Sequence, residues 1–398
     1  MFIGAWVSLH YGPLSRKQIT DTPVYQNYGD AIVRGEAPYR DFSVEYPPGA
    51  LATFAAPSLF SKEGDATAYR RNFGTLMAAC GVLLLVALAL SVASLGFGTA
   101  AAAGALGLAA LAPLLLGTVV LTRFDYWPAA LTAGAMAALL SGRLRLGHGL
   151  LGAAIAAKVW PGVLVPLTVA YVWRTRGRRE ALICLGVALA VVATIVLPFF
   201  ALSPHGVWTS FERQLSRPLQ IESIGAALIV AAHHVLGTGA TMVSSRGSQN
   251  ISGWFASSVG VVQGLVQLGV LIGIWVVFAR RDRSREELVR YAAAAVVAFV
   301  ALGKVLSPQF LIWLIPLVPL VRRWSVAILY AAALVLTQAW FPKHYWSYAL
   351  HFSGPVTWLV LLRDLVLIAL LVALLRPPRA ARAEAAARAR LRASSSPA

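Results

Sequence analysis

Apolar residues in this chain come in long stretches rather than in alternation with polar ones. Runs of about the twenty residues that a helix needs to cross a hydrocarbon core occupy 73–95, 99–121, 148–173, 181–202, 254–279 and 355–375. Shorter ones lie at 47–60, 127–142, 289–306, 308–321 and 325–341. Pro113, Pro161, Pro166, Pro308 and Pro316 break or bound several of them. Broken helices survive at membrane depth only where neighbours or a cavity satisfy the freed backbone groups. The pattern therefore predicts an all-α, polytopic transmembrane bundle of about twelve spans, several short or broken, around a polar site. Met1 to Leu9 is apolar but too short to span. A first helix is expected to begin abruptly there, or to start upstream. Without a basic n-region it does not read as a cleaved signal peptide.

Composition narrows the class. Of 398 residues 58% are hydrophobic and 13% charged, well under the roughly 25% charged of soluble domains, and mean hydropathy is +0.70. A water-soluble globule and a disordered chain are excluded. Two cysteines, Cys80 and Cys184, sit inside apolar runs and read as small buried hydrophobes, not as a disulfide framework.

The net charge of +18 is a matter of placement. Basic residues cluster in the breaks: Arg174, Arg176, Arg178 and Arg179; Arg280, Arg281, Arg283, Arg285 and Arg290; Arg322 and Arg323; and the tail. This is the cytoplasmic bias of membrane proteins, not a nucleic-acid footprint. It divides the chain into an integral membrane domain, 1–375, and a basic cytoplasmic tail, 376–398, expected to be disordered and drawn to anionic lipid headgroups. It also puts loop 13–46, loop 203–253 and segment 342–354 outside. Arg143 and Arg145 then fall on the wrong face, unless a re-entrant pair broken at Trp160-Pro161-Gly162 returns them. No internal repeat is visible.

Loop 13–46 holds five of the sixteen acids: Asp21, Asp30, Glu36, Asp41 and Glu45. Thr22-Pro23 is a good helix start. Val24, Tyr28, Ala31 and Ile32 would form one apolar face, and Gly35 can end the helix. This predicts a short amphipathic helix on the outer membrane surface. Asp21, just before it, suits helix capping as well as chemistry. Asp30 is expected to be solvated. Asp41 and Glu45 are either surface charges or partners of Arg40 and Arg34. An extended segment leads to Pro47-Pro48, which fixes the angle of the next helix.

Ionisable residues inside apolar runs are functional by default. Lys158 and Lys304 each stand alone among apolar neighbours, with snorkelling as the other reading. Arg123 and Asp125 form either a local ion pair or part of a polar site. His344, flanked by aromatics, suits an aromatic belt as well as chemistry. His233-His234 lacks further ligands at zinc-like spacing. No metal set and no nucleotide-binding motif is recognisable, so no cofactor is called for, and the acids of loop 13–46 leave a divalent metal as an alternative that no ligand set indicates. A phosphate would have to be held by scattered lysines and arginines.

Asp21-Thr-Pro-Val-Tyr25, Gly35-Glu-Ala-Pro-Tyr39, Asp41-Phe42 and Glu45-Tyr-Pro-Pro-Gly49 together resemble the first outer loop of the polyprenyl-phosphate-sugar-dependent glycosyltransferases of the GT-C superfamily. Within that superfamily they resemble glycosyltransferase family 87, which is of mannosyltransferase type. Arg123-Phe-Asp-Tyr-Trp-Pro128, Lys158-Val-Trp-Pro161 and Gly303-Lys-Val-Leu-Ser-Pro-Gln-Phe-Leu-Ile-Trp313 match in the expected order, and the departure from the family is expected at the start, where Met1 to Leu9 is too short for a complete first membrane helix. The resemblance implies inverting transfer of a sugar, mannose or else arabinose, from a polyprenyl phosphate to a glycolipid or polysaccharide on the outer face of the plasma membrane. Asp21 would be the general base, and Lys158, Lys304 and Arg123 would neutralise the leaving phosphate. Tyr25 and Tyr46 would stack on sugars, and Asp41, Glu45, Asp125, Gln309 and His344 complete the candidate substrate-binding set. The competing reading is a lipid-sugar flippase, which would not need the acid-rich loop with its rigid Pro-Pro exit.

Overall fold

The computed structural model describes residues 1–12, 18–280 and 284–376. It is an all-α bundle with one small hairpin. The helices are α1 (Phe2–Tyr11), α2 (Thr22–Val33), α3 (Leu51–Ser58), α4 (Ala66–Ser94), α5 (Thr99–Leu116), α6 (Tyr126–Leu140), α7 (Leu144–Ala157) and α8 (Val165–Arg176). They continue as α9 (Arg178–Leu202), α10 (Pro204–Leu215), α11 (Ile224–Leu236), α12 (Trp254–Arg280), α13 (Arg285–Ala301), α14 (Trp324–Trp340), α15 (Tyr345–His351) and α16 (Gly354–Leu375). Strands β1 (Met242–Ser245) and β2 (Ser248–Ile251) pair antiparallel. Arg246 and Gly247, both at positive φ, make the two-residue turn between them.

Among the described residues five helices, α4, α5, α9, α12 and α16, are long and apolar enough to cross a membrane. A sixth span is obtained if α14 and α15, bent by 75° at the break between them, count as one. The expected number was about twelve. The remaining runs give shorter pieces, and proline, which removes backbone donors, breaks two of them. Run 148–173 is split into α7 and α8 by a 3-10 stretch, Trp160–Leu164. The run from 308, with Pro308, Pro316 and Pro319, stays in 3-10 turns. Leu83, Leu90, Leu189, Leu197, Val261 and Leu265 are exposed on α4, α9 and α12, as lipid-facing surface requires. At the centre, α13 is buried almost throughout, with Ala292 to Ala295 fully covered, small enough for neighbours to approach closely. Cys80 and Cys184 are both buried and free.

The bundle has two chemically distinct ends. At one, Arg285 donates to the Ser94 carbonyl and Arg174 to that of Ala279. Arg290 donates there to the Leu374 carbonyl. Arg143 and Arg145 belong to this end, as the alternative of a re-entrant pair broken at Trp160-Pro161-Gly162 has it. Arg145 pairs with Glu180 at 2.8 Å, and Arg143, Arg145, Arg176 and Glu180 line one cleft. The reason is a double reversal. α6 and α7 form a helical hairpin turning at Gly142, whose φ is +80°. The break at 158–164 then sends α8 back toward the basic end.

At the other end the acidic loop meets later segments. Ser203 donates to the Tyr39 carbonyl, Gln214 to that of Glu45, and Tyr348 to that of Ile221. Helix α2 is present as expected, ended by Gly35 at φ +89°, but its buried face is rotated. Thr22, Tyr25, Gln26, Gly29 and Asp30 are buried, Ala31 of the expected face is buried with them, Tyr28 and Ile32 are half-buried, and Val24 is exposed. Close approach to α3 decides this, because Gly29 lies against the Phe54 backbone. Asp30 is consequently not solvated, and accepts from Ser58 Oγ and the Gly64 amide.

A Cβ on Gly29 would stand 2.2 Å from the Phe54 carbonyl oxygen. Gly29→Val is expected to lower stability by about 1–3 kcal/mol, read as a drop in the thermal midpoint of the purified protein in detergent. An unchanged midpoint would mean that α2 is not docked on α3.

Candidate active site

Asp21 occupies the N-cap position of α2, yet its carboxylate makes no capping bond. It forms an ion pair with the Arg123 guanidinium, and the Tyr25 hydroxyl approaches its Oδ2 at 3.5 Å. Arg123 is buried, 7% exposed, in the irregular stretch between a 3-10 turn, Thr118–Leu121, and α6. Thr122 Oγ1 ties this stretch to the loop by donating to the Ile19 carbonyl. Tyr25 is locked by rings. Phe54 stacks on it at 4.6 Å, and Tyr46 and Phe124 meet it edge-on at 5.7 and 5.8 Å.

Arg123 and Asp125 do not pair locally. Phe124 between them is buried against Tyr25, Tyr46 and Phe54, and the flanking charges take separate partners. Asp125, fully buried, accepts from Lys158 Nζ at 2.6 Å and from Trp313 Nε1 at 2.5 Å. Lys158, read as solitary from the sequence, caps α7 in extended conformation, which carries its side chain across to the start of α6. Its ammonium lies 4.6 Å from the Phe124 ring centre and 5.2 Å from that of Trp313. Trp160 stacks on Trp313 at 5.3 Å. This ammonium is therefore held by a buried carboxylate and aromatic faces, and does not snorkel to water.

Two residues of the segment between α10 and α11, Arg217 and Glu222, were not singled out from the sequence. Glu222 is 1% exposed and accepts from Gln220 Nε2 at 3.2 Å. Burial pushes its carboxyl up to about 8, against the downward pull of Arg363, Arg123 and Arg217. Burial likewise lowers the Arg217 guanidinium, which faces Tyr46, Glu45, Glu222 and Tyr345. The available signal was weak: isolated charges in Ser216-Arg-Pro-Leu-Gln-Ile-Glu-Ser223, just before a Ser-capped apolar helix. Also missed were Arg363 and Asp364 on α16, both fully buried and 2.7 Å apart. Adjacent opposite charges inside run 355–375 were their signal.

The remaining candidates divide. Tyr46 packs on Phe124 at 5.0 Å, inside the cluster. Glu45 lines a cleft of about 390 Å³ with Thr209, Glu212, Arg213, Gln214 and Arg246. Asp41 stands apart and exposed, paired with Arg40 at 2.8 Å, which holds its carboxyl down to about 2. Lys304 donates to the Leu215 carbonyl at 3.1 Å. Gln309 is half-buried at the start of the Pro308–Leu314 turn, and His344 is half-buried at the N-cap of α15. It is the neighbouring Tyr345 that faces Arg123, Arg217 and Glu222. Among the described residues no three His, Cys, Asp or Glu side chains are grouped to hold a metal. What the arrangement offers is a carboxylate, Asp21, paired with Arg123, a second pair, Asp125 with Lys158, and Arg217 facing Tyr46 and Glu222, among tyrosine, phenylalanine and tryptophan rings. Such a site can bind an anion and accept a proton next to it.

The Glu222 carboxyl at about 8, against an ordinary 4.5, holds a proton that the unfolded chain has already released. Its contribution to stability is therefore full below pH 4.5 and is lost as pH rises to about 8. The thermal midpoint of the wild-type protein is expected to fall more steeply across that window than that of Glu222→Gln. Equal slopes would show that Glu222 does not titrate there.

Among curated proteins none matches the chain. The model of one family, glycosyltransferase family 87, matches residues 44–308, about two thirds of the length. The matched span contains Glu45, Tyr46, Arg123, Asp125, Lys158, Arg217, Glu222 and Lys304, and leaves Asp21, Tyr25, Asp41, Gln309 and His344 outside it. With the helical membrane bundle and the polar cluster at one end of it, this match settles the affiliation: the chain is a membrane glycosyltransferase belonging to glycosyltransferase family 87.

Proposed function

We propose that this enzyme transfers a sugar, mannose for preference, from a polyprenyl phosphate to a glycolipid or polysaccharide acceptor at the outer face of the plasma membrane, with inversion and with Asp21 as general base. The observation that carries the reading is the Asp21 carboxylate held in an ion pair with the buried Arg123 guanidinium at the acidic end. The Arg123 and Tyr25 contacts both fall on Oδ2, and Oδ1 is the oxygen offered to the acceptor hydroxyl. That hydroxyl attacks the anomeric carbon as its proton passes to Asp21, and the bond from this carbon to the phosphate oxygen breaks. The leaving group departs as polyprenyl phosphate and needs no proton. Its extra negative charge is met by Arg123 and Lys158, which are already buried and oriented. As the phosphate draws on Arg123, the hold on Asp21 loosens and the carboxylate becomes the better base. One base and one displacement give inversion. The positive-inside rule places the acidic end outside. The shorter helices complete the crossings toward the expected twelve or so, and the prenyl tail lies along apolar surface between them.

Asp21→Asn is expected to cut transfer by roughly 10²–10⁴-fold, the usual weight of a general base, while expression and donor binding stay close to wild type. The check is release of labelled sugar from polyprenyl phosphate to acceptor by purified protein in detergent. Near-normal turnover by the variant would remove Asp21 from the mechanism. Movement of the lipid-sugar across sealed vesicles without any transfer would favour the flippase reading instead.

A further inference from the structure

Three cations converge at the acidic end, and their partners differ. Arg123 is paired with Asp21, and Lys158 with Asp125. Arg217 makes no ion pair and no side-chain hydrogen bond with the described residues, and its Nε is buried without a partner. The carboxylates that face it, Glu45 and Glu222, close no ion pair with it. Glu222 holds its proton through burial, and Glu45 lines the adjoining cleft. A half-buried guanidinium in that position is costly unless an anion joins it.

Its placement is deliberate in structural terms. The segment carrying Arg217 is clamped from several sides. The Lys304 ammonium donates to the Leu215 carbonyl, and the Lys304 carbonyl accepts the Gln220 amide at 2.9 Å. Arg246, at the tip of the β1–β2 turn, donates to Ser216 Oγ. The Ile251 amide of β2 donates to the Leu219 carbonyl, and the Gln249 carbonyl accepts the Ile221 amide. Pro218 stiffens the backbone immediately after Arg217.

We infer that Arg217 is the third phosphate-binding cation of the donor site, and that Lys304 acts as a positioning residue that holds the Arg217 segment in place rather than touching the phosphate. The inference rests on the polyprenyl-phosphate reading above. It assigns the two basic residues different work. The Arg217 fork offers two parallel N–H bonds to phosphate oxygens, opposite Arg123 and Lys158. The Lys304 ammonium gives one of its three donors to the Leu215 carbonyl and so holds that segment.

The test measures binding of undecaprenyl monophosphate and of undecaprenol to the purified full-length protein in detergent. Wild type should prefer the phosphate over the alcohol. Arg217→Gln should weaken phosphate binding by about tenfold or more, leave alcohol binding and the thermal midpoint unchanged, and be partly rescued by Arg217→Lys. Lys304→Met should weaken phosphate binding less. In the Arg217→Gln background it should weaken binding no further, because a residue acting through another is non-additive with it. Wild-type phosphate binding with Arg217→Gln unaffected would overturn this assignment alone. Additive losses in the double variant would make Lys304 a phosphate ligand in its own right and overturn its positioning role. Wild type that binds phosphate no better than alcohol would overturn the polyprenyl-phosphate reading and this inference together.

Discussion

The Asp125–Lys158 ion pair is the constraint on which the acidic end of the bundle depends. Ionised groups sealed from water are tolerated only when each meets its opposite with good geometry. Here the 2.6 Å contact joins the first turn of α6 to the end of α7, and the Trp313 indole, donating to the same oxygen, adds the 308–314 turn. Three pieces of backbone too short or too irregular to span on their own are thereby fixed to one another. The break at 158–164 that follows, needed to present Lys158, also returns α8 to the basic end and so sets the path of the middle of the chain.

Around this pair the aromatic residues do two jobs. Phe124, Tyr25, Tyr46 and Phe54 form a continuous layer that excludes water from the charges and ties the first loop to α6. Trp160, Trp313 and Phe310 stack on the other side of Lys158. Low dielectric inside that shell strengthens every remaining electrostatic contact. Hence a half-buried cation such as Arg217 interacts more strongly with a neighbouring charge than it would on a soluble surface.

The division of cations also explains why the loops fold as they do. Segment 203–253 is long, but it is not loose. Its amphipathic helix docks under Tyr39, where Gly206 lies against the Tyr39 carbonyl, and its hairpin braces the Arg217 segment. The site is thus assembled from the first loop, the α5–α6 break, the α7–α8 break and the segment before α11, four stretches far apart in sequence. Each is held by backbone carbonyls and amides that the surrounding short helices leave available.

Membrane class, helical fold, the basic and acidic ends and most of the charged candidates were legible in the residues, because apolar run length and isolated charges are local properties. Arg123, Asp125 and Lys158 stood out one by one for that reason, whereas Asp21, one acid among five in its loop, was singled out by the family resemblance. Their pairing did not. Neighbours in sequence suggested Arg123 with Asp125, and only the tertiary structure shows each reaching across the bundle, since Phe124 between them is needed by the aromatic layer. The buried face of α2 was likewise decided by the close approach of Gly29 to α3, which outweighs the apolar moment of the isolated helix. Arg217 and Glu222 were hidden in what reads as an ordinary polar connection. Their importance comes from burial and from the charges brought opposite them, and a sequence records neither until the chain has closed on itself.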